Sequence, residues 1–155
     1  MSAALPGVTL GLDAGSVRVG LAATDPTATI ASPVATLLRR DRGFWERVRE
    51  EARARGAERL VVGLPLRLDG TEGDAAAAAR TLADEASRQT GLPVEMWDER
   101  LSSVAAERAL LESGMRRDRR REAIDAVAAA IMLQGWLDAA RRRPGVRRPQ
   151  KSAPA

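Results

Sequence analysis

The run Leu60-Val61-Val62-Gly63-Leu64 contains no polar side chain. A strand turns successive side chains to opposite faces, so this one is apolar on both and must be covered on both. That is the pattern of a central parallel strand, and parallel strands need crossovers that are usually helical. The flanking sequence supplies the helices. Upstream, Phe44, Trp45, Val48 and Ala52 share a helical face between Asp41, read as an N-cap, and Gly56, read as a stop. Downstream, a turn-rich loop, Pro65–Gly73, leads into an Ala-rich helix from Asp74 to Thr90, ended by Gly91. A short strand, Pro93–Trp97, follows and runs directly into Asp98-Glu99-Arg100. Ser102 or Ser103 then caps a helix ending at Gly114, and a long last helix spans Asp118 to Ala140.

The N-terminal part is different. Val8–Asp25 reads as a strand, a tight Gly-bearing turn and a return strand. Val8, Leu10 and Leu12 share one face with Val17, Val19 and Leu21, while Thr9, Gly11 and Asp13 share the other. That second face is bare, so a ligand is expected to come close to the backbone there. A third strand, Ile30–Leu38, contains Pro33 and belongs at an edge. The order β-β-β-α-β-α-β-α-α predicts an α/β fold: a mixed five-stranded sheet, three antiparallel strands then two parallel ones, flanked by helices. One domain is expected over residues 1–140, with 141–155 as a basic disordered tail.

Composition matters most through what is missing. The chain has no His and no Cys. It therefore has no Ser-His triad, no imidazole base, no disulfide and no thiolate or imidazole metal site. Catalysis would have to run on carboxylates, Arg, Ser or Thr, the single Lys151, or a metal held by oxygen. No apolar run approaches the roughly 18 residues of a membrane span, and MSAALPG does not read as a signal peptide, so a cytoplasmic protein is expected. The tail from Arg141 holds six of the 25 basic residues and no acid, and Arg116-Arg117-Asp118-Arg119-Arg120-Arg121 forms a second basic cluster. Basic charge gathered in two patches suits a polyanion partner, although an Arg-biased composition produces such runs as well.

Three acids stand where structural need is weakest. Asp13 ends the first strand, Glu99 follows the last strand, and Asp125 borders the apolar stripe of the last helix formed by Ala128, Ala129, Met132 and Trp136. A carboxylate beside an apolar stripe requires a metal or a cationic partner, and Arg100 or Arg18 would satisfy it as well as an ion. The three could converge at one rim of the sheet, where oxygen ligands select Mg²⁺ or Mn²⁺ and a pair of such ions cleaves phosphodiesters.

Four stretches in this order and spacing, Leu10-Gly11-Leu12-Asp13-Ala14-Gly15-Ser16-Val17-Arg18-Val19-Gly20, Val62-Gly63-Leu64-Pro65 with Asp69-Gly70-Thr71, Asp98-Glu99-Arg100-Leu101-Ser102, and Ile124-Asp125-Ala126-Val127, resemble the YqgF family, also called RuvX. The resemblance covers nearly all of the chain but its tail. It implies a ribonuclease-H-like fold and a metal-dependent nuclease of structured nucleic acid, acting on the 5′ end of pre-16S rRNA in ribosome biogenesis. It further implies that Asp13, Glu99 and Asp125 are catalytic and hold Mg²⁺ or Mn²⁺, and that Arg100 sits by the scissile phosphate. Arg18, Arg116, Arg117 and Arg119 are the other candidate substrate contacts. The family commonly has a Lys before the last aspartate where this chain has Arg121-Glu122-Ala123.

Two other readings stay open at this point: a Holliday junction resolvase acting on branched DNA, and a non-catalytic module binding RNA or the ribosome through its Arg patches. An ATP-binding lobe of the actin and sugar-kinase type would share the Asp13-Ala14-Gly15 turn, but it needs two lobes where 155 residues supply one. Monomer and homodimer are both compatible with the sequence.

Overall fold

The computed structural model describes residues 3–4, 7–15, 17–101, 117–142 and 146–147. Strands β2 (Thr9–Ala14), β3 (Arg18–Thr24) and β4 (Ala31–Leu38) precede helix α1 (Phe44–Arg55). Strand β5 (Arg59–Leu64), helix α2 (Asp74–Thr90), strand β6 (Val94–Asp98), a 3₁₀ turn (Glu99–Leu101) and helix α3 (Arg117–Arg142) follow. Two-residue strands, β1 (Ala3–Ala4) and β7 (Val146–Arg147), pair in parallel with each other. The main sheet has the order β4-β3-β2-β5-β6. Its β4–β3 and β3–β2 pairs are antiparallel, and its β2–β5 and β5–β6 pairs are parallel. This is the expected mixed sheet.

β5 lies between two parallel neighbours, and Leu60, Val61 and Val62 are fully buried, as an all-apolar strand requires. Pro33 falls in β4, at the sheet edge. The register skips there: Leu21 pairs with Ala35 but Ala22 with Pro33, so Val34 is the extra residue of a bulge. Asp41 is not the N-cap of α1. Gly43 occupies that position without a side-chain cap, and Asp41 Oδ1 instead accepts the Gly43 N–H at 2.8 Å. The carboxylate shapes the turn into the helix, two residues early. Val17, expected on the apolar face, precedes β3 and is exposed.

The strands' alternation divides the core into two layers. Leu10, Leu12, Val19, Leu21, Leu60 and Val62 pack under Phe44 and Val48 of α1 and Leu82 of α2. On the other face, Ala22 and Val61 pack under Ala128, Ala129, Met132, Leu133 and Trp136 of α3. Each such large side chain contributes on the order of 1.5–3 kcal/mol when fully buried. The expected helix from Ser102 or Ser103 to Gly114, Arg116 and residues 148–155 lie outside the described residues. Helix α3 itself continues past Ala140 to Arg142. No helix among the described residues is long and apolar enough to cross a membrane.

Candidate functional site

The bare face of β2 is covered, but by a helix rather than left open to a ligand. A Cβ added at Gly11 would stand 3.1 Å from Leu133 Cβ of α3. At Gly20 it would stand 1.9 Å from the backbone carbonyl oxygen of Asp125, a distance no side chain tolerates. At Gly63 it would meet Glu99 Cγ and Cδ at 3.2 Å and Met132 Cγ at 3.3 Å. The small residues let α3 and the 3₁₀ turn approach the strands as closely as backbone allows.

Those contacts converge on Asp13. It is 5% exposed and faces α3, in step with Gly11 two residues before it. Across the antiparallel pair it stands opposite Gly20, the residue beneath Asp125. On its other side the β2–β5 register pairs Leu12 with Val62, which brings Gly63, beneath Glu99, alongside Asp13. Neighbouring strands are about 4.8 Å apart. Asp13 is thus flanked on one strand by the seat of Asp125 and on the other by the seat of Glu99. All three are on one face and at one rim, where β2, β5 and β6 end.

Their side chains are not gathered around one point, and among the described residues no three acids form a group able to hold a metal ion. Asp125 pairs with a cation: its Oδ2 accepts the Arg18 Nε–H at 2.9 Å, with the two side chains 14% and 28% exposed. Of the two cations that could satisfy Asp125, the structure uses Arg18. Arg18 starts β3, two residues before Gly20, so both face α3.

Arg100 is engaged elsewhere. Its Nε lies 3.1 Å from each Asp98 oxygen and its Nη2 lies 2.7 Å from Oδ2, while its backbone N–H donates to Oδ1 at 2.9 Å. This fork holds the Asp98 carboxyl below its ordinary pKa and raises that of Arg100. Arg100 Nη1 also donates to Leu68 O at 3.4 Å, tying the rim to the Pro65–Gly73 loop. That loop has its own frame: Gly70 at φ +87° and Asp69 Oδ1 accepting the Thr71 hydroxyl at 2.6 Å and the Thr71 N–H at 2.9 Å. Arg117 and Arg119 open α3. Gly20 and Gly63, the spacers that seat Asp125 and Glu99 beside Asp13, are visible in the sequence only as small residues in strands. Their partners come from 36 to more than 100 residues away.

Three comparisons bear on this geometry. A family model described as RuvX, Holliday junction resolvase, matches residues 7–139. A protein of Kineococcus radiotolerans described as "Putative pre-16S rRNA nuclease" is 53% identical over 140 residues, covering 88% of this chain and 74% of its own length. One of Myxococcus xanthus with the same description is 45% identical over 134 residues, covering 86% and 89%. Among solved structures, the fold resembles T. thermophilus RuvC in complex with a Holliday junction substrate, with a TM-score of 0.50 at 15% identity, covering 86% of this chain and 96% of that one.

Proposed function

The chain belongs to the RuvX family, and from that premise we propose that it is an endonuclease, dependent on a hard divalent cation, that cleaves structured RNA of the pre-16S rRNA kind. The observation that carries this reading is Asp13, a nearly buried carboxylate with Gly20 and Gly63 on either side and Asp125 and Glu99 seated upon them. The donor set is all oxygen, which fits Mg²⁺ or Mn²⁺ and excludes metals that demand sulfur or imidazole. The three side chains do not form a metal group as they stand; Asp13, Glu99 and Asp125 would turn toward one another to hold the ions. Bound there, such ions supply water activation and stabilisation of the leaving oxygen.

The chain's own part is positioning. Asp13 is fixed by the β2 ladder, Glu99 by the 3₁₀ turn, and Asp125 by backbone contact with Gly20. Arg100, locked by Asp98 and exposed at the same rim, presents a fixed cation to the substrate backbone. Arg18 adds a second cation at the rim, and Arg116, Arg117 and Arg119 are proposed as further phosphate contacts from their charge in the sequence alone. An RNA substrate would place this work in the cytoplasm. The test is cleavage of matched structured RNA and branched DNA by the purified protein with Mg²⁺, Mn²⁺ or chelator. Metal-dependent cleavage of the RNA is expected; cleavage of the branched DNA alone would make the chain a junction resolvase, and cleavage of neither would leave a binding module.

A further inference from the structure

We propose that Arg18 is the resident counter-cation of Asp125, a positioning residue that the incoming divalent ion displaces and that then turns to the substrate phosphate; this rests on the metal-dependent reading above. The two arginine–carboxylate pairs at this rim differ in build. Arg100 grips Asp98 with Nε and Nη2 across both carboxylate oxygens and with its backbone N–H as well. Arg18 touches Asp125 through Nε alone, at 2.9 Å, and its two Nη groups make no hydrogen bond among the described residues. The Arg100 pair is closed. Among the described residues the Arg18 pair leaves its two Nη groups without an acceptor, and guanidinium N–H groups of this kind suit phosphate oxygens.

Asp125 has little freedom to leave. Its backbone carbonyl lies against Gly20, and its side chain is 14% exposed. Opposite Gly20 stands Asp13, 5% exposed. Two largely buried carboxylates, one on the strand position paired with Gly20 and the other on the helix residue seated over it, oppose each other's charge, which a neighbouring cation relieves. In this structure Arg18 is a cation beside Asp125. With a divalent cation on Asp13 and Asp125, Arg18 would no longer be needed there and its guanidinium would be repelled. Arg18, at the first residue of its strand and more exposed than its partner, is the member of the pair able to swing outward.

The experiment compares wild type, Arg18→Met, Arg18→Lys, Asp125→Asn and the Arg18→Met/Asp125→Asn double variant without substrate. Melting temperature is measured in chelator, and Mn²⁺ affinity is measured from the resonance of free Mn²⁺. Arg18→Met should melt about 3–8 °C lower in chelator, and the loss should vanish when Asp125 is already Asn. Its Mn²⁺ affinity should rise at least about fivefold, because a competing positive charge has gone, while Arg18→Lys stays near wild type. A merely structural arginine would leave metal affinity unchanged or lower it. Wild type binding Mn²⁺ as well as Arg18→Met does would overturn the role of Arg18 and leave the metal reading standing. Mn²⁺ binding by neither would overturn both. Should Arg18→Met fail to fold, Arg18→Gln provides the same neutral comparison.

Discussion

The two faces of the sheet are made by the same strands and do different work. Toward α1 and α2 the strands present Leu10, Leu12, Val19, Leu21, Leu60 and Val62, full-sized side chains that fill space between layers. Toward α3 they present Val61 and otherwise Thr9, Gly11, Asp13, Gly20, Ala22 and Gly63, mostly small residues that hold the helix close instead. The first face obtains stability from volume. The second gives up volume for proximity, and proximity brings backbone-anchored acids beside Asp13. On the proposed reading, the face used for chemistry is recognisable by what its strands lack.

The comparison breaks most visibly at Gly20. Gly20→Ala sets a Cβ 1.9 Å from the Asp125 carbonyl oxygen, a clash with backbone that no rotamer relieves. It should cost about 3 kcal/mol or more, seen as a fall in melting temperature above about 6 °C or as insoluble protein. A Gly20→Ala chain as stable as wild type would mean that α3 is free to lift off. On the opposite face, Leu10→Ala removes a fully buried side chain and should cost about 2–5 kcal/mol. Cleavage per folded molecule should nonetheless persist, since Leu10 points away from α3; lost turnover in folded protein would show that the faces are not independent.

The third effect is chemical. Asp125→Asn keeps shape and removes charge, so cleavage should fall by roughly two orders of magnitude or more while the fold survives. The Arg18 pair sets a competing term: losing it lowers stability in chelator. Activity and melting temperature measured together separate the two. The smallest effect lies at the other end of the sheet. Asp25, just past β3, has its pKa lowered to about 2, first by the Thr27 hydroxyl and then by the Ile30 and Thr29 N–H groups. A depressed carboxyl stabilises the fold above its ordinary value near 3.8 and loses that contribution as pH falls toward 2. Asp25→Asn should flatten the melting-temperature slope between pH 4 and pH 2 and leave cleavage at neutral pH untouched.

Much of the fold could be read before the structure. The run Leu60–Leu64 announced a strand covered on both faces, Pro33 an edge, and Gly56 and Gly91 two helix ends, because each is a local consequence of side-chain chemistry. What escaped was long-range. Nothing near Gly11 or Gly20 in sequence says that the space above them belongs to a helix over 100 residues on, so the bare face read as room for a ligand. Asp41 misled because an Asp before a helix can cap it or form the turn ahead of it, and only the backbone decides. For the proposed site, Asp13, Glu99 and Asp125 stand out by position, and the structure seats Asp125 over Gly20 and Glu99 over Gly63 without drawing the three carboxylates together. That Asp125 leans on Arg18 rather than Arg100 depended on Asp98 claiming Arg100 first, a competition that spacing does not express.

The most direct test of the central claim is anomalous diffraction from crystals of the protein soaked in Mn²⁺. The account predicts a peak about 2.0–2.3 Å from a carboxylate oxygen of Asp13, on the α3 side of β2, between Gly20 and Gly63, with Arg18 withdrawn from Asp125. A peak confined to other acids, or Asp13 left without metal at a concentration that supports cleavage, would contradict it.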